Sequence, residues 1–182
     1  MALTRLLALA VSIGLASASA AAGEIRFEDV AREAGVDFAH QNAPTPRKHL
    51  IETMPGGMAV FDFDGDGRLD LFFPNGAPIP SLVKDSPRYW NRLFRNEGGM
   101  KFSDRTEAAE LRGEGYASSV AVADYDNDGR PDLFVGGVHR QHLYRNTGGR
   151  LVDVTAKAGL TSEQWGVGGG AGDQDNHGWV ES

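Results

Sequence analysis

The sequence contains no cysteine among its 182 residues. This absence excludes disulfide scaffolds, thiolate zinc sites, iron–sulfur clusters and cysteine nucleophiles. Basic residues are also scarce, since 18 Lys and Arg face 25 Asp and Glu. Without a basic stripe, nucleic acid is not the expected partner. The motifs G-x-S-x-G and H-E-x-x-H are missing, as is a Gly-rich phosphate loop after a strand. We therefore expect a protein that is not an enzyme.

A long apolar run occurs only at the start of the chain. A short segment with one positive charge, Met1 to Arg5, precedes the run LLALAVSIGL, and small residues follow with possible cleavage sites after Ala18, Ala20 or Ala22. This order predicts a signal peptide over residues 1–22, whose apolar core is too short to span a bilayer of about 30 Å. The remaining residues predict no transmembrane span. We expect a secreted or periplasmic protein.

The acidic residues are concentrated in three short clusters. The clusters are Asp62, Asp64, Asp66 and Asp70; Asp124, Asp126, Asp128 and Asp132; and Asp173, Asp175 and Glu181. The first two lie in the repeated segments MAVFDFDGDGRLDLFFPNGAP and SVAVADYDNDGRPDLFVGG. An internal repeat of this kind indicates a repeat architecture. Residues 173–181 stand 22 residues after Leu151, as Asp124 stands 22 residues after Phe102, so they form a third, degenerate copy.

Apolar runs rich in Val and Phe flank each of the first two loops, which predicts two buried strands joined by the loop. A second repeated unit, LFRNEGGMKFSD and LYRNTGGRLVDV, predicts a hairpin with a Gly-containing turn. Each period thus offers four antiparallel strands, which is typical of a β-propeller blade. We predict an all-β fold of about three blades in an incomplete ring. The segments EDVAREAG, DRTEAAE and DVTAKAG are expected to form at most one or two helical turns.

The spacing D-x-D-x-D-G-x-x-D suits a divalent cation. Calcium binds six to eight oxygens, and a tight loop that turns alternate side chains inward can supply them. Gly67 and Gly129 permit the turn, and the backbone carbonyls of Arg68 and Arg130 are candidate ligands. An Asp- and Gly-rich turn without an ion is the alternative. An EF-hand does not fit, because Phe73 and Val135 stand where its final Glu is needed.

The two loops therefore predict two calcium sites, and the third loop is doubtful. The candidate ligand residues are Asp62, Asp64, Asp66, Arg68 and Asp70 in the first loop; Asp124, Asp126, Asp128, Arg130 and Asp132 in the second; and Asp173 and Asp175 in the third, where His177 and Glu181 occupy the later ligand positions. A charged segment before the first loop, with Arg47, Lys48, His49 and Glu52, is expected to be solvated.

These segments resemble the FG-GAP or VCBS type repeats found in the integrin α-subunit propeller and in relatives of cartilage acidic protein. The resemblance rests on DFDGDGRLDLFFPNGAP, DYDNDGRPDLFVGG, LFRNEGG and LYRNTGG, and covers most of Phe27 to Glu181. It implies a β-propeller with calcium in the blade loops and a partner surface on the opposite face. We expect residues 23–182 to form the repeat region.

Only Ser182 follows the third loop, so we expect the chain to end within a blade. The leading hypothesis is a secreted, calcium-stabilised interaction module of the adhesion type. Its expected partners are proteins or carbohydrates at the cell exterior, and open strand edges favour self-association. Two alternatives remain: a fragment of a larger propeller enzyme such as a secreted lyase or hydrolase, and a truncated gene product without independent function.

Overall fold

The computed structural model describes residues 25–54 and 56–160, which form two four-stranded antiparallel sheets. Sheet A contains β1 (Ala59–Phe61), β2 (Asp70–Phe73), β3 (Arg92–Gly98) and β4 (Lys101–Asp104). Sheet B contains β5 (Tyr116–Ala123), β6 (Asp132–Val138), β7 (Gln141–Asn146) and β8 (Leu151–Asp153). In both sheets the strands lie in chain order. The predicted all-β fold of four-stranded repeats is confirmed, and the third repeat falls outside the described residues.

In the part of the chain that the structure describes, helical structure is confined to single turns. The helix α1 covers Ala31–Ala34, and two 3₁₀ turns cover Leu50–Thr53 and Pro87–Tyr89. No helix among the described residues is long and apolar enough to cross a bilayer. The prediction that EDVAREAG forms at most one or two helical turns is confirmed.

The main core lies between the two sheets. The register of sheet A places Ala59, Phe72 and Leu93 side by side on one face, and the register of sheet B does the same for Val122, Leu133 and Tyr144. Both sets belong to one apolar cluster. Because strand side chains alternate between faces, the next residue along each strand points away from this core. The two sheets therefore pack face to face as successive blades.

Hydrogen bonds also join the sheets at the end where the acidic loops lie. The carbonyl of Phe63 in the first loop accepts hydrogen bonds from the Gly149 amide at 3.2 Å and from Asn146 Nδ2 at 2.9 Å. Both donors belong to the β7–β8 hairpin. The first acidic loop is thus held against sheet B.

The opposite end of sheet A carries two long connections, residues 37–58 before β1 and residues 74–91 between β2 and β3. They meet in a second apolar cluster that contains Ile51, Ala77 and Tyr116. The Tyr116 hydroxyl lies 3.3 Å from the carbonyls of Asn42 and Ile51. In sheet B the corresponding β6–β7 connection is only residues 139–140. Most of the residues at this end of the described structure therefore belong to the connections of sheet A.

Candidate metal centres

The two acidic loops have the same backbone. Asp62 begins the first loop, and its carboxylate accepts hydrogen bonds from the amides of Gly65, Asp66 and Gly67 at 2.7 to 3.1 Å. Asp124 accepts the equivalent bonds from Asp128 and Gly129 at 3.0 and 2.8 Å. Gly67 and Gly129 have φ of +83° and +86°, a conformation that strongly favours glycine. The repeated Gly is therefore required by the turn itself, as the sequence indicated.

The last aspartate of each motif is a structural residue of the sheet. Asp70 is fully buried and accepts hydrogen bonds from the amides of Phe63 at 3.0 Å and Asn96 at 2.7 Å. Asp132 accepts the same pair of bonds, from Tyr125 at 3.0 Å and Asn146 at 2.7 Å. Each carboxylate thus ties its loop to the third strand of its sheet.

Burial raises the pKa of both Asp70 and Asp132 by desolvation, and the backbone hydrogen bonds oppose this rise. Nearby carboxylates raise the pKa further, Asp64 and Asp66 in the first loop and Asp126 and Asp128 in the second. A cation bound near these loops would relieve this repulsion, because an opposite charge favours the ionised carboxylate.

The loops differ in which carboxylates converge. In the first loop, one oxygen each from Asp62, Asp64 and Asp70 lie within 4.8 Å of one another. In the second loop the converging set is Asp124, Asp126 and Asp128. The structure therefore brings together three of the four predicted carboxylates in each loop, and the excluded member is Asp66 in one loop and Asp132 in the other.

Two carboxylates of each loop, at the third and fifth motif positions, contact an arginine that the sequence analysis did not assign to the site. Arg95 of β3 contacts Asp64 Oδ2 through Nε and Asp66 Oδ2 through Nη2, both at 2.5 Å. Its counterpart in β7, Arg145, lies 2.5 Å from Asp126 Oδ2 and 3.1 Å from Asp128 Oδ2. The signal was present in the sequence, because both arginines occupy the same place in the repeated LFRN and LYRN segments.

The residue after the Gly contributes a second guanidinium. Arg68 pairs with Asp66 and donates Nε–H to the Asn96 carbonyl at 2.8 Å, and Arg130 pairs with Asp128 and donates to the Asn146 carbonyl at 3.0 Å. Burial opposes ionisation of Asp128, but hydrogen bonds from Arg130 and Arg145 lower its pKa overall. These side chains hold the outer carboxylates in place. That the Arg68 and Arg130 carbonyls are ligands stays a prediction.

The charge balance fits one divalent cation per loop. Each loop has four carboxylates and is contacted by two guanidinium groups, so a formal charge of −2 remains, or −3 in the first loop when Glu97, which also pairs with Arg95, is counted. Asp126 Oδ1 is buried without a hydrogen-bond partner among the described residues. A buried carboxylate oxygen without a partner is costly. A donor set made of oxygens alone suits a hard cation such as calcium.

Two sequence predictions, the third loop and the solvated Glu52, are not confirmed by the described residues. Asp173 and Asp175 of the third loop lie outside the described residues. Glu52, expected to be solvated, is buried: it accepts hydrogen bonds from the Thr45 amide, the Thr45 hydroxyl and the His49 amide at 2.6 to 3.1 Å. Its carboxylate closes the loop before β1, and these bonds lower its pKa, chiefly that from the Thr45 hydroxyl. The prediction for Glu52 was wrong because its partners, two backbone amides and the Thr45 hydroxyl, are brought to the carboxylate by the fold of the loop, which composition does not reveal.

Lys84 is a second polar centre that the sequence did not indicate. Its ammonium donates to the carbonyls of Asn75, Gly76 and Tyr89 at 2.6, 3.0 and 2.7 Å. Desolvation lowers the pKa of Lys84 to about 7, whereas the three acceptors favour the charged form. Lys84 thus organises residues 74–91 at the end of sheet A opposite the acidic loops.

Comparison with known proteins agrees with this architecture. Residues 81–135, which span β3 to the middle of β6, match the FG-GAP-like repeat. Cartilage acidic protein 1 of Homo sapiens and of Mus musculus is 27% identical over 116 residues, or 64% of this chain. The matched stretch covers only 14% and 15% of those relatives, so the chain corresponds to a small part of their length. The repeated motifs, the two blade-like sheets and these matches show an FG-GAP-like repeat at residues 81–135 and support an FG-GAP repeat architecture for the chain.

Proposed function

We propose that this chain is a secreted calcium-binding repeat module that takes part in protein or carbohydrate interactions at the cell exterior. In this proposal residues 1–22 are removed as a signal peptide, and residues 23–182 form the repeat region. The observation that carries the proposal is the convergence of three carboxylates within 4.8 Å in each of two loops that share one backbone. A binding role fits better than a catalytic one. Backbone amides and arginines hold these carboxylates in fixed positions, and the converging oxygens suit a bound cation.

Calcium would be held by Asp62, Asp64 and Asp70 in the first loop and by Asp124, Asp126 and Asp128 in the second, with Asp66, Asp132 and the Arg68 and Arg130 carbonyls as further candidates. A bound ion supplies positive charge that joins the loop to the sheet. Extracellular sites of this type bind calcium with Kd of about 10⁻⁴ to 10⁻³ M, which suits a module stabilised by calcium outside the cell.

The partner surface is proposed at the end opposite the acidic loops. There the two connections, residues 37–58 and 74–91, form a separate cluster supported by Tyr116. Loops on a rigid scaffold commonly carry binding function. Self-association through the outer strand edges of the sheets belongs to the same proposal, since an unpaired edge can pair with another chain.

The test is thermal unfolding and calorimetric titration of the full chain after chelation, with calcium added back to ten times Kd. Each occupied site adds about 1.4 kcal/mol at that concentration, so two sites raise Tm by roughly 5 to 10 °C. The double variant Asp64→Asn with Asp126→Asn should lose most of this rise. Asp85→Asn, an exposed acid outside the loops, is the matched control and should keep it. Absence of both heat and a Tm shift in the unsubstituted chain would falsify calcium binding.

A further inference from the structure

The arginine on the third strand of each sheet is fixed relative to the acidic loop by protein contacts alone. In both sheets the last aspartate of the motif accepts the amide that follows this arginine at 2.7 Å, Asn96 in sheet A and Asn146 in sheet B. The carbonyl of the same asparagine accepts Nε–H from the arginine after the loop glycine, at 2.8 and 3.0 Å. The main chain at Arg95 and Arg145 therefore keeps one position beside its loop, which a precise binding site requires.

Each of these arginines contacts one particular oxygen of the carboxylate at the third motif position. Arg145 Nε lies 2.5 Å from Asp126 Oδ2, and Arg95 Nε lies 2.5 Å from Asp64 Oδ2. The other oxygen of the first pair, Asp64 Oδ1, accepts the Asp66 amide at 3.3 Å, which is longer than most N–H···O hydrogen bonds. The guanidinium thus fixes the rotation of the carboxylate and leaves its Oδ1 atom available to a cation.

In the second loop this available oxygen is a buried atom without a partner. Asp126 Oδ1 has no hydrogen-bond partner in the part of the chain that the structure describes. Arg145 Nε is also buried and contacts Asp126 Oδ2 without hydrogen-bond geometry, so the pair is held by charge. A buried carboxylate oxygen without a partner is costly. A cation bound by the converging carboxylates of Asp124, Asp126 and Asp128 would supply that partner.

The two loops differ at the carboxylate of the fifth motif position. Arg95 Nη2 lies 2.5 Å from Asp66 Oδ2, whereas Arg145 Nη2 lies 3.1 Å from Asp128 Oδ2. Asp66 is outside the converging set of its loop, and Asp128 is inside the set of the other loop. A close contact between a guanidinium and a carboxylate is a strong, charge-assisted interaction that a cation has to displace. The first loop therefore offers its fifth-position carboxylate less readily than the second loop does.

Glu97 gives Arg95 a third carboxylate partner, at 2.6 Å from Nη1. The charge of Glu97 is itself offset by Arg105, whose Nη2 lies 3.2 Å from Oε1. In the repeated hairpin of sheet B, Thr147 stands at this position, and its hydroxyl donates to a backbone carbonyl. The Arg95 side chain is 22% exposed, compared with 42% for Arg145. A cation in the first loop therefore competes with a guanidinium that other protein groups hold more firmly.

We propose that Arg95 and Arg145 are positioning residues for calcium, each orienting the carboxylate at the third motif position, and that the second loop binds calcium more tightly than the first. This inference rests on the calcium binding proposed above. Groups that hold the outer oxygen of a ligand carboxylate commonly change metal affinity by 10- to 100-fold. The sign of the effect separates positioning from charge. Removal of a nearby positive charge alone strengthens cation binding, whereas loss of a positioning contact weakens it.

The experiment is a calcium titration of the full chain in which the NMR signals of the Gly67 and Gly129 amides report each loop separately. In the unsubstituted chain the Gly129 signal should change at lower calcium than the Gly67 signal. Arg145→Gln should raise the Kd of the second loop about tenfold. Arg145→Lys keeps the charge but loses the two-point contact, so its Kd should rise about threefold. Arg140→Gln is the control and should change neither Kd, because Arg140 pairs with Glu114 at the opposite end of sheet B.

Unchanged or tighter calcium binding at the second loop of Arg145→Gln overturns the positioning role, and filling of the first loop before the second overturns the order of affinities. If neither glycine signal of the unsubstituted chain responds to calcium, calcium binding itself fails and this inference fails with it. If Arg145→Gln gives no folded NMR spectrum in chelator, Arg145→Lys decides alone, because it keeps the charge beside the acidic loop. An unchanged Kd in that variant then contradicts the positioning role.

Discussion

Sheets A and B have the same strand order and the same acidic motif, but their equivalent residues have different surroundings. Phe72 and Leu93 of sheet A are fully buried, whereas their counterparts Phe134 and Leu143 in sheet B are half-buried. On the opposite faces the relation is reversed, since Leu133 is buried and its counterpart Leu71 is half-buried. The motif thus sets which residues share a face, and the neighbouring sheet sets how much each contributes to stability.

The acidic loops show the same dependence on the neighbour. The first loop lies against the β7–β8 hairpin, where a Cβ at Gly149 would be 3.4 Å from Asp64 Cβ. The described residues include no hairpin in the equivalent position beside the second loop. The converging carboxylates also differ between the loops. Identical spacing in the sequence therefore does not give identical sites.

The largest difference between the sheets should appear on truncation of equivalent core residues. Phe72→Ala should lower the free energy of unfolding by about 4 kcal/mol, because it empties a fully buried position, whereas Phe134→Ala should cost about half as much. Chemical denaturation of both variants in calcium measures the two costs. Equal costs would mean that sheet B is covered as completely as sheet A.

The long connection of sheet A should depend on Lys84. Lys84→Met leaves the carbonyls of Asn75, Gly76 and Tyr89 without their donor and should cost about 2 kcal/mol. Lys157→Met, at an exposed position after β8, is the control and should be neutral. Sheet B has no counterpart of this connection. Lys84→Met should therefore destabilise residues 74–91 locally, and hydrogen exchange of their amides should become faster while that of sheet B changes less.

Lys84 also gives a pH dependence with a defined sign. Its pKa of about 7 in the fold lies below the unfolded value, so between these values the unfolded chain binds more protons than the folded chain. Stability should therefore rise as pH increases from about 7 towards 10. The Lys84→Met variant should lack this part of the slope. An unchanged slope in the variant would assign it to other groups.

The contact between the first acidic loop and sheet B should make Asn146 contribute more to stability than Asn96, which occupies the equivalent position in sheet A. Asn146 Nδ2 donates to the carbonyls of Phe63 and Pro131, whereas Asn96 Nδ2 donates to the Leu69 carbonyl. Asn146→Ala should therefore cost about 1 kcal/mol more than Asn96→Ala. Thermal unfolding of both variants measures the difference, and a larger cost for Asn96→Ala would contradict the described contact between sheets.

The smallest effect concerns the pairs that join the two outer strands of each sheet. His142 Nδ1 lies 3.1 Å from Asp153 in sheet B, and Arg92 lies 3.6 Å from Asp104 in sheet A. Burial opposes ionisation of Asp153, but hydrogen bonds from Thr155 and the His142 contact lower its pKa. This stabilisation is present above the unfolded pKa and is lost as pH falls below about 4. Asp153→Asn should slightly reduce the loss of unfolding free energy between about pH 4 and lower pH, as measured by thermal unfolding over this range. An unchanged pH dependence would mean that the pair contributes nothing to stability.

The sequence by itself determined the repeat, the strand–loop–strand order and the short helical turns. The alternation of apolar residues, the Gly at fixed loop positions and the recurring D-x-D-x-D-G-x-x-D spacing are local signals, and local backbone geometry is enough to read them. For this reason the all-β fold of four-stranded repeats could be predicted, together with the acidic loops as candidate cation sites.

Only the tertiary structure decided which carboxylates converge and what neutralises them. Arg95 and Arg145 reach the loops from the third strand of each sheet, so their role depends on strand register rather than on nearby sequence. Glu52 is buried by hydrogen bonds from residues three and seven positions before it, and only the folded loop brings these groups to its carboxylate. The pairing of the two arginines with the loops is fixed by the packing of strands within whole sheets, because a contact between distant segments leaves no spacing signal in the chain.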